Sequence, residues 1–242
     1  MTGGSRGIGR AVAGLLATEG CDIAICGRGR ERLDKSVEEL GMLGVKASGR
    51  ALNARDADAY RSWLSDSCEE MGGLDILVAS LSAGGGMDSE RNWYRNFEID
   101  LMSAVRGVET VLRYLKRSEV PSIVIMGTMA ATETFAAPMA YNALKAALMT
   151  YSKQLSQALA KRNIRVNCIS PGPTVFPGSA WEMVQIANKK LYASTIRQQP
   201  QRRMATAEEI AKCVVFIASP AASWVNGSHL LVDGGFSKRV QF

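Results

Sequence analysis

Thr2-Gly3-Gly4-Ser5-Arg6-Gly7-Ile8-Gly9 is the stretch on which the fold is read. Glycines at 3, 7 and 9 let the backbone turn sharply and come close to a ligand, and an apolar-periodic segment, Ile8 to Glu19, follows at once as a helix. A short apolar strand, Asp22 to Cys26, comes next. A glycine turn, a helix and then a strand at this spacing make a dinucleotide-binding unit, in which the helix N-terminus receives the pyrophosphate. Gly3, Ser5, Arg6, Gly7, Ile8 and Gly9 are therefore candidate cofactor contacts. Read without its sequel, the same stretch also fits a flexible tail.

Further along, strand and helix patterns alternate. Strands are expected at Ala47–Leu52, Asp75–Ala79, Ser122–Gly127, Arg165–Ser170 and His229–Val232. Helices are expected at Glu31–Leu43, Ala57–Met71, within Trp93–Arg117, from Pro138 to about Arg162, at Ala180–Arg197 and at Ala207–Ala218. Such alternation predicts an α/β fold of one domain over residues 1–242, a doubly wound parallel sheet of Rossmann type with helices on both faces. A further strand is expected ahead of Thr2, at the centre of the sheet, and the sequence opens at the glycine turn instead. The expectation is of a recorded start that falls short of the first strand. The segment Val175–Met204 exceeds what a strand-to-helix repeat needs. Its Phe176, Trp181, Met183, Ile186 and Tyr192 suit a substrate lid over 175–204, or ordinary helix packing.

Composition narrows the class. Hydrophobic residues make up 47% of the 242 and charged residues 21%, which excludes a disordered or fibrous chain. No uncharged apolar run is long enough to span a membrane, and no signal peptide is legible. Cys21, Cys26, Cys68, Cys168 and Cys213 are widely spaced, as for reduced thiols in a cytoplasmic protein. With His229 as the one histidine, a zinc site and a histidine-based triad are not expected. The net charge of +6 is not gathered into a basic patch interleaved with aromatics, so no nucleic-acid role is expected.

Chemistry is legible at Tyr141-Asn142-Ala143-Leu144-Lys145. Four residues apart on a helix, the phenol and the ammonium share one face. Free tyrosine titrates near ~10, and a fixed cation beside it favours the phenolate, so the pair suits proton exchange with a carbonyl or alcohol. Chance spacing on a helix surface gives the same pattern. At the end of the second unit's strand, Ile25-Cys26-Gly27-Arg28 lacks the acid that would bind ribose hydroxyls, and Arg28 follows instead. A guanidinium there can hold a ribose 2′-phosphate, with Arg6 approaching the same group, which points to NADP(H) over NAD. Arg28 also fits the start of a solvated charged helix.

Taken together, Thr2-Gly3 through Gly9, Leu74-Asp75-Ile76-Leu77-Val78, Tyr141 with Lys145, Ile164-Arg165-Val166-Asn167, Pro171-Gly172 and Val232-Asp233-Gly234-Gly235 resemble the short-chain dehydrogenase/reductase family over the whole chain. The likeness is greatest to its 3-oxoacyl-acyl-carrier-protein reductase-like group. The resemblance implies hydride transfer between NADP(H) and a small-molecule carbonyl or alcohol, with Tyr141 as general acid/base and Lys145 binding the nicotinamide ribose. It implies a hydroxyl at position 128, where Thr128 stands, and a carboxamide contact at Thr174 just past Pro171 and Gly172. It also implies a homo-oligomer, a dimer or tetramer, built on the helices around Leu101–Arg117 and Ala140–Arg162, whose Ala143, Ala146, Ala147, Leu148, Tyr151, Leu155 and Leu159 are small or apolar.

Three departures are visible. Asp100 replaces the family's water-holding asparagine and brings a negative charge toward Lys145; a merely structural Asp100 fits as well. Ala79-Ser80-Leu81-Ser82 and Ala83-Gly84-Gly85-Gly86 replace an Asn-Asn-Ala-Gly run. Asn53 replaces an aspartate at the adenine. These departures leave open a catalytically weak NADP(H)-binding regulator or scaffold of the same fold.

Overall fold

The protein is described here by a computed structural model covering residues 1–85, 89–134 and 139–240. Gly86 and Pro138, expected above in a glycine run and ahead of a helix, lie outside those residues. In chain order the elements are α1 (Gly7–Thr18), β1 (Ile23–Gly27), α2 (Arg30–Gly41), β2 (Ala47–Ala51), α3 (Ala57–Glu70) and β3 (Ile76–Ala79). There follow α4 (Glu90–Asn96), a π-helical turn (Phe97–Met102), α5 (Ser103–Leu115), β4 (Ser122–Met126), α6 (Ala140–Leu159) and β5 (Arg165–Pro171). The chain ends with α7 (Ala180–Ala187), α8 (Lys189–Gln198), α9 (Ala207–Ala218) and β6 (His229–Val232). Every strand pairing is parallel.

Period-two alternation explains the layering. Along β4, Ile123 and Ile125 face the core formed with Tyr60, Trp63, Val108, Val111, Leu115 and Leu148. Val124 and Met126 face the opposite core, with Val12, Leu16, Ile210, Val214 and Ile217. A strand buried on both faces must be largely apolar, and Ser122 to Met126 is entirely buried with Ser122 its one polar residue.

Two features qualify the expected layout. First, the parallel sheet lies in two parts among the described residues, β1–β2 and β3-β4-β5-β6, with the gap where the central strand was expected. Residues 2–4 bridge them, with Thr2 N–H donating to Val78 O at 3.0 Å and Gly4 N–H donating to Cys26 O at 3.2 Å. Beside this bridge, between β1 and β3, lies a cavity of about 740 Å³ bordered by Met1, Ile23, Ala24, Trp63, Leu64, Leu77 and Val111 among others. None of the candidate site residues lines it. Second, two expected long helices are divided. The π-helical turn interrupts the first, and Asn188 breaks Ala180–Arg197 by capping α8, its side chain accepting from Leu191 N–H at 3.0 Å.

No residue of α7 is buried, and Met183 and Ile186 face outward. That segment is therefore not an ordinary core helix. On α6, Leu148 and Leu159 belong to the core, which leaves Ala143 and Ala147 on the outer face. All five cysteines are free. Among the described residues no helix is long and apolar enough to cross a membrane.

Leu148 anchors α6, the helix that carries Tyr141 and Lys145, against the sheet. Leu148→Ala should destabilise the protein by about 2–5 kcal/mol, read from the urea midpoint. A midpoint unchanged from wild type would show that α6 does not depend on this contact.

Candidate active site

The loops at the carboxyl ends of the strands converge on one place, where a doubly wound sheet binds its ligands. The glycine turn enters α1. Thr128 follows β4, Pro171 and Gly172 close β5, and residues 80–85 follow β3. Tyr141 and Lys145 begin the stripe that continues through Leu148, Ser152, Ser156 and Leu159 on the buried face of α6.

Lys145 is almost completely buried. A buried ammonium needs partners, and three segments supply them. Its Nζ donates to Met126 O at 2.9 Å, at the end of β4, and to Leu81 O at 3.4 Å, in the loop after β3. Asp100 Oδ1, in the π-helical turn, lies 3.4 Å away. The ammonium also stands 5.9 Å from the centre of the Tyr141 ring. Thr128 caps the short 3₁₀ turn that follows it, accepting from Ala130 N–H at 3.3 Å, and its hydroxyl hydrogen-bonds Tyr141.

The expected lowering of the Tyr141 phenol is not what the geometry gives. Burial raises it above the ordinary tyrosine value. Lys145 pulls it down, Asp100 pushes it back up, and the Thr128 hydrogen bond lowers it. Spacing alone showed the cation but not the desolvation or the facing carboxylate.

The glycine turn is tight. Gly7 has φ +54°, and a side chain there would meet the Phe176 ring at 2.4 Å. At Gly9 an added Cβ would lie 2.2 Å from Gly3 O. Arg6 occupies the N-cap of α1 without a side-chain cap, so the first N–H groups of that helix are offered to whatever enters the turn. Ser5 Oγ packs onto Gly27, where a Cβ would come within 2.4 Å of it, and Ile8 packs toward the α1–α9 core. Arg28 is exposed at the end of β1 and makes no ion pair among the described residues.

Asn53 is exposed beyond β2, its Oδ1 accepting from Arg55 N–H at 3.2 Å. Gly172 N–H donates to Val232 O at 2.9 Å. The Thr174 hydroxyl donates to Gly172 O at 2.9 Å, so its hydrogen is already used within the loop.

Sequence reasoning missed the parts played by Thr2 and Arg95. Thr2 ties the loop after β3 to the turn, its Oγ1 accepting from Ser80 N–H at 3.0 Å. Asp100 Oδ2 accepts from Ala83 N–H at 3.0 Å, while Arg95 donates to the Ala83 carbonyl. These bonds hold the run where family asparagines were expected. Phe176, expected either to line a substrate lid or to pack as an ordinary helix residue, lies on Gly7, and Arg6 Nη1 donates to Gly178 O at 3.0 Å. Among the described residues no group of three or more histidine, cysteine or carboxylate side chains could hold a metal ion.

The family model described as Enoyl-(Acyl carrier protein) reductase matches residues 3–237. Isoepoxydon dehydrogenase of Penicillium expansum is 32% identical over all of this chain and 95% of that protein. The 3-oxoacyl-(acyl-carrier-protein) reductase of Vibrio cholerae is 31% identical over 97% of this chain and 95% of that protein. Among solved structures, L-sorbose reductase from Gluconobacter frateurii, complexed with NADPH and L-sorbose, has a TM-score of 0.91 at 30% identity, covering 99% of this chain and 96% of that one. A short chain dehydrogenase from Burkholderia cenocepacia in complex with NADP has a TM-score of 0.89 at 29% identity, covering 97% and 95%.

Closure of the turn depends on Gly9. Gly9→Ala should lower stability by about 1–3 kcal/mol through overpacking against Gly3, seen as a depressed thermal midpoint. A midpoint equal to wild type would mean that the turn opens freely.

Proposed function

This chain belongs to the short-chain dehydrogenase/reductase family of oxidoreductases, and we propose that it interconverts a carbonyl and an alcohol using NADP(H), with Tyr141 transferring the proton. The observation that carries the proposal is the Tyr141–Lys145–Thr128 cluster at the carboxyl edge of the sheet, next to an uncapped helix N-terminus. A pure nucleotide binder has no use for a phenol held between a hydroxyl and a buried ammonium.

The residues fit the dinucleotide. The uncapped amino end of α1 offers its first N–H groups to the pyrophosphate, and Arg28, exposed and without an ion pair among the described residues, offers its guanidinium to a ribose 2′-phosphate, with Arg6 nearby. Solved relatives carrying NADP or NADPH support the same choice. When bound, NADPH supplies the hydride that a carbonyl carbon accepts. Tyr141 gives its phenolic proton to the carbonyl oxygen, and takes it back in the reverse direction. Thr128 orients that oxygen by donating a hydrogen bond. Lys145 biases Tyr141 toward its ionised form and would bind the nicotinamide ribose. Gly3, Ser5, Gly7, Ile8 and Gly9 form the pyrophosphate cradle; Asn53 faces the adenine; Pro171, Gly172 and Thr174 border the nicotinamide.

The single domain carries a lid over residues 175–204. Its α7 buries no residue of its own, and Phe176 and the Arg6–Gly178 hydrogen bond tether it to the glycine turn. The apolar Met183 and Ile186 suit an apolar ketone or an acyl chain such as a 3-oxoacyl thioester. Ala143 and Ala147 on the outer face of α6 suit self-association into a dimer or tetramer.

Tyr141→Phe should abolish turnover of a ketone panel while NADPH binding, followed by its fluorescence, stays within about twofold. Near-normal turnover would remove Tyr141 from the mechanism. Arg28→Ala should weaken NADPH roughly 10- to 100-fold, the loss of one charge-assisted contact, and leave NADH nearly unchanged. Equal losses for both would place the 2′-phosphate elsewhere.

A further inference from the structure

We infer that Asp100 is a positioning residue that clamps the Lys145 ammonium and thereby sets the pH at which Tyr141 works; the inference rests on the reading of Tyr141 as the proton-transferring group. Its side chain is fully inaccessible, and its two oxygens face different partners. Oδ2 accepts the Ala83 N–H at 3.0 Å. Oδ1 stands 3.4 Å from Lys145 Nζ and takes no hydrogen bond among the described residues, although it is buried. An unbonded buried carboxylate oxygen is costly, and the neighbouring ammonium is what compensates it.

The backbone is shaped to deliver this carboxylate. Asp100 sits within the π-helical turn Phe97–Met102, where the widened helix departs from regular α geometry between α4 and α5. Arg95, on α4, donates to the carbonyl of the same Ala83 whose N–H binds Asp100, so the loop after β3 is gripped from both sides. Lys145 is held by the carbonyls of Leu81 and Met126 and by Asp100. Its charge is thus balanced within the protein before Tyr141 can use it.

Lys145 and Asp100 are the two charges that act on Tyr141; Arg95, on α4, spends its guanidinium on the Ala83 carbonyl. From β5, Cys168 faces Lys145, but burial pushes its thiol up to about 11, so it is neutral through the working range. On β6, His229 pairs with Ser170 Oγ at 2.7 Å. Thr128 contributes a hydroxyl and no charge. Tyr141 therefore faces a near-neutral pair, Lys145 with Asp100, where a lone cation would draw its proton off more strongly.

The sign follows directly. In the alcohol-oxidising direction Tyr141 must be ionised, so activity falls as pH drops through its apparent value. Asp100 raises that value and moves the acidic limb upward. In Asp100→Asn, kcat/KM for alcohol oxidation should keep an acidic limb displaced at least one pH unit lower. Relative to its own plateau, the rate at pH 7 should then rise about tenfold. Asp100→Ser, which also removes the charge, should move the limb the same way, and Asp100→Glu, which retains it, should leave the limb near its wild-type position. An unmoved limb in both neutral variants, with only a uniform drop in rate, would make Asp100 merely structural and overturn the inference. Turnover retained by Tyr141→Phe would overturn the underlying reading as well, and so distinguishes the two failures.

Discussion

A buried ammonium is the constraint around which this site is arranged. Lys145 lies in the interior, where an unpaired charge costs several kcal/mol or more. It can stay there only because β4, the loop after β3 and the π-helical turn each bring an acceptor to it. Those three segments are far apart in sequence, and the parallel sheet is what brings their ends together. Satisfying one cation thus fixes the helix that carries Tyr141, the turn that carries Asp100 and the loop that borders the glycine turn.

The same arrangement explains why the phenol is a conditional rather than a free acid. Burial raises its proton affinity, and Lys145 and Thr128 offset only part of that, against Asp100. A phenol held in this way needs one further positive influence before it ionises readily. Oxidised nicotinamide, a cation, would supply it when bound, and Tyr141 would then serve as the base for alcohol oxidation. Coupling the proton site to the dinucleotide in this manner would keep the phenol protonated in the free protein.

Much of the fold was legible because parallel strands buried on both faces are read as short apolar runs, and Ile23–Gly27, Ile76–Ala79 and Ser122–Met126 stand out as such. Alternation of these runs with amphipathic helices led directly to the doubly wound sheet. Two features escaped. The π-helical turn shifts the phase of the apolar pattern by one residue, and over the six residues Phe97–Met102 such a shift is too short to tell from ordinary irregularity of a helical stripe. The Asn188 break was hidden because an asparagine within a helical pattern reads as a tolerated polar residue, though here it caps a second helix. Spacing and resemblance named the candidate site residues, but not their electrostatic balance. Sequence placed Lys145 one turn from Tyr141; it could not show that Asp100 would lie 3.4 Å from the same ammonium, nor that Phe176 would rest on Gly7.

The most direct measurement is an ultraviolet titration of the Tyr141 phenol, taken as the difference between wild type and Tyr141→Phe, with and without NADP⁺. The account predicts ionisation above the free-tyrosine value of about 10 in the free protein and below it once NADP⁺ is bound. A phenol that ionises at or above the free value in both states would contradict proton transfer by Tyr141.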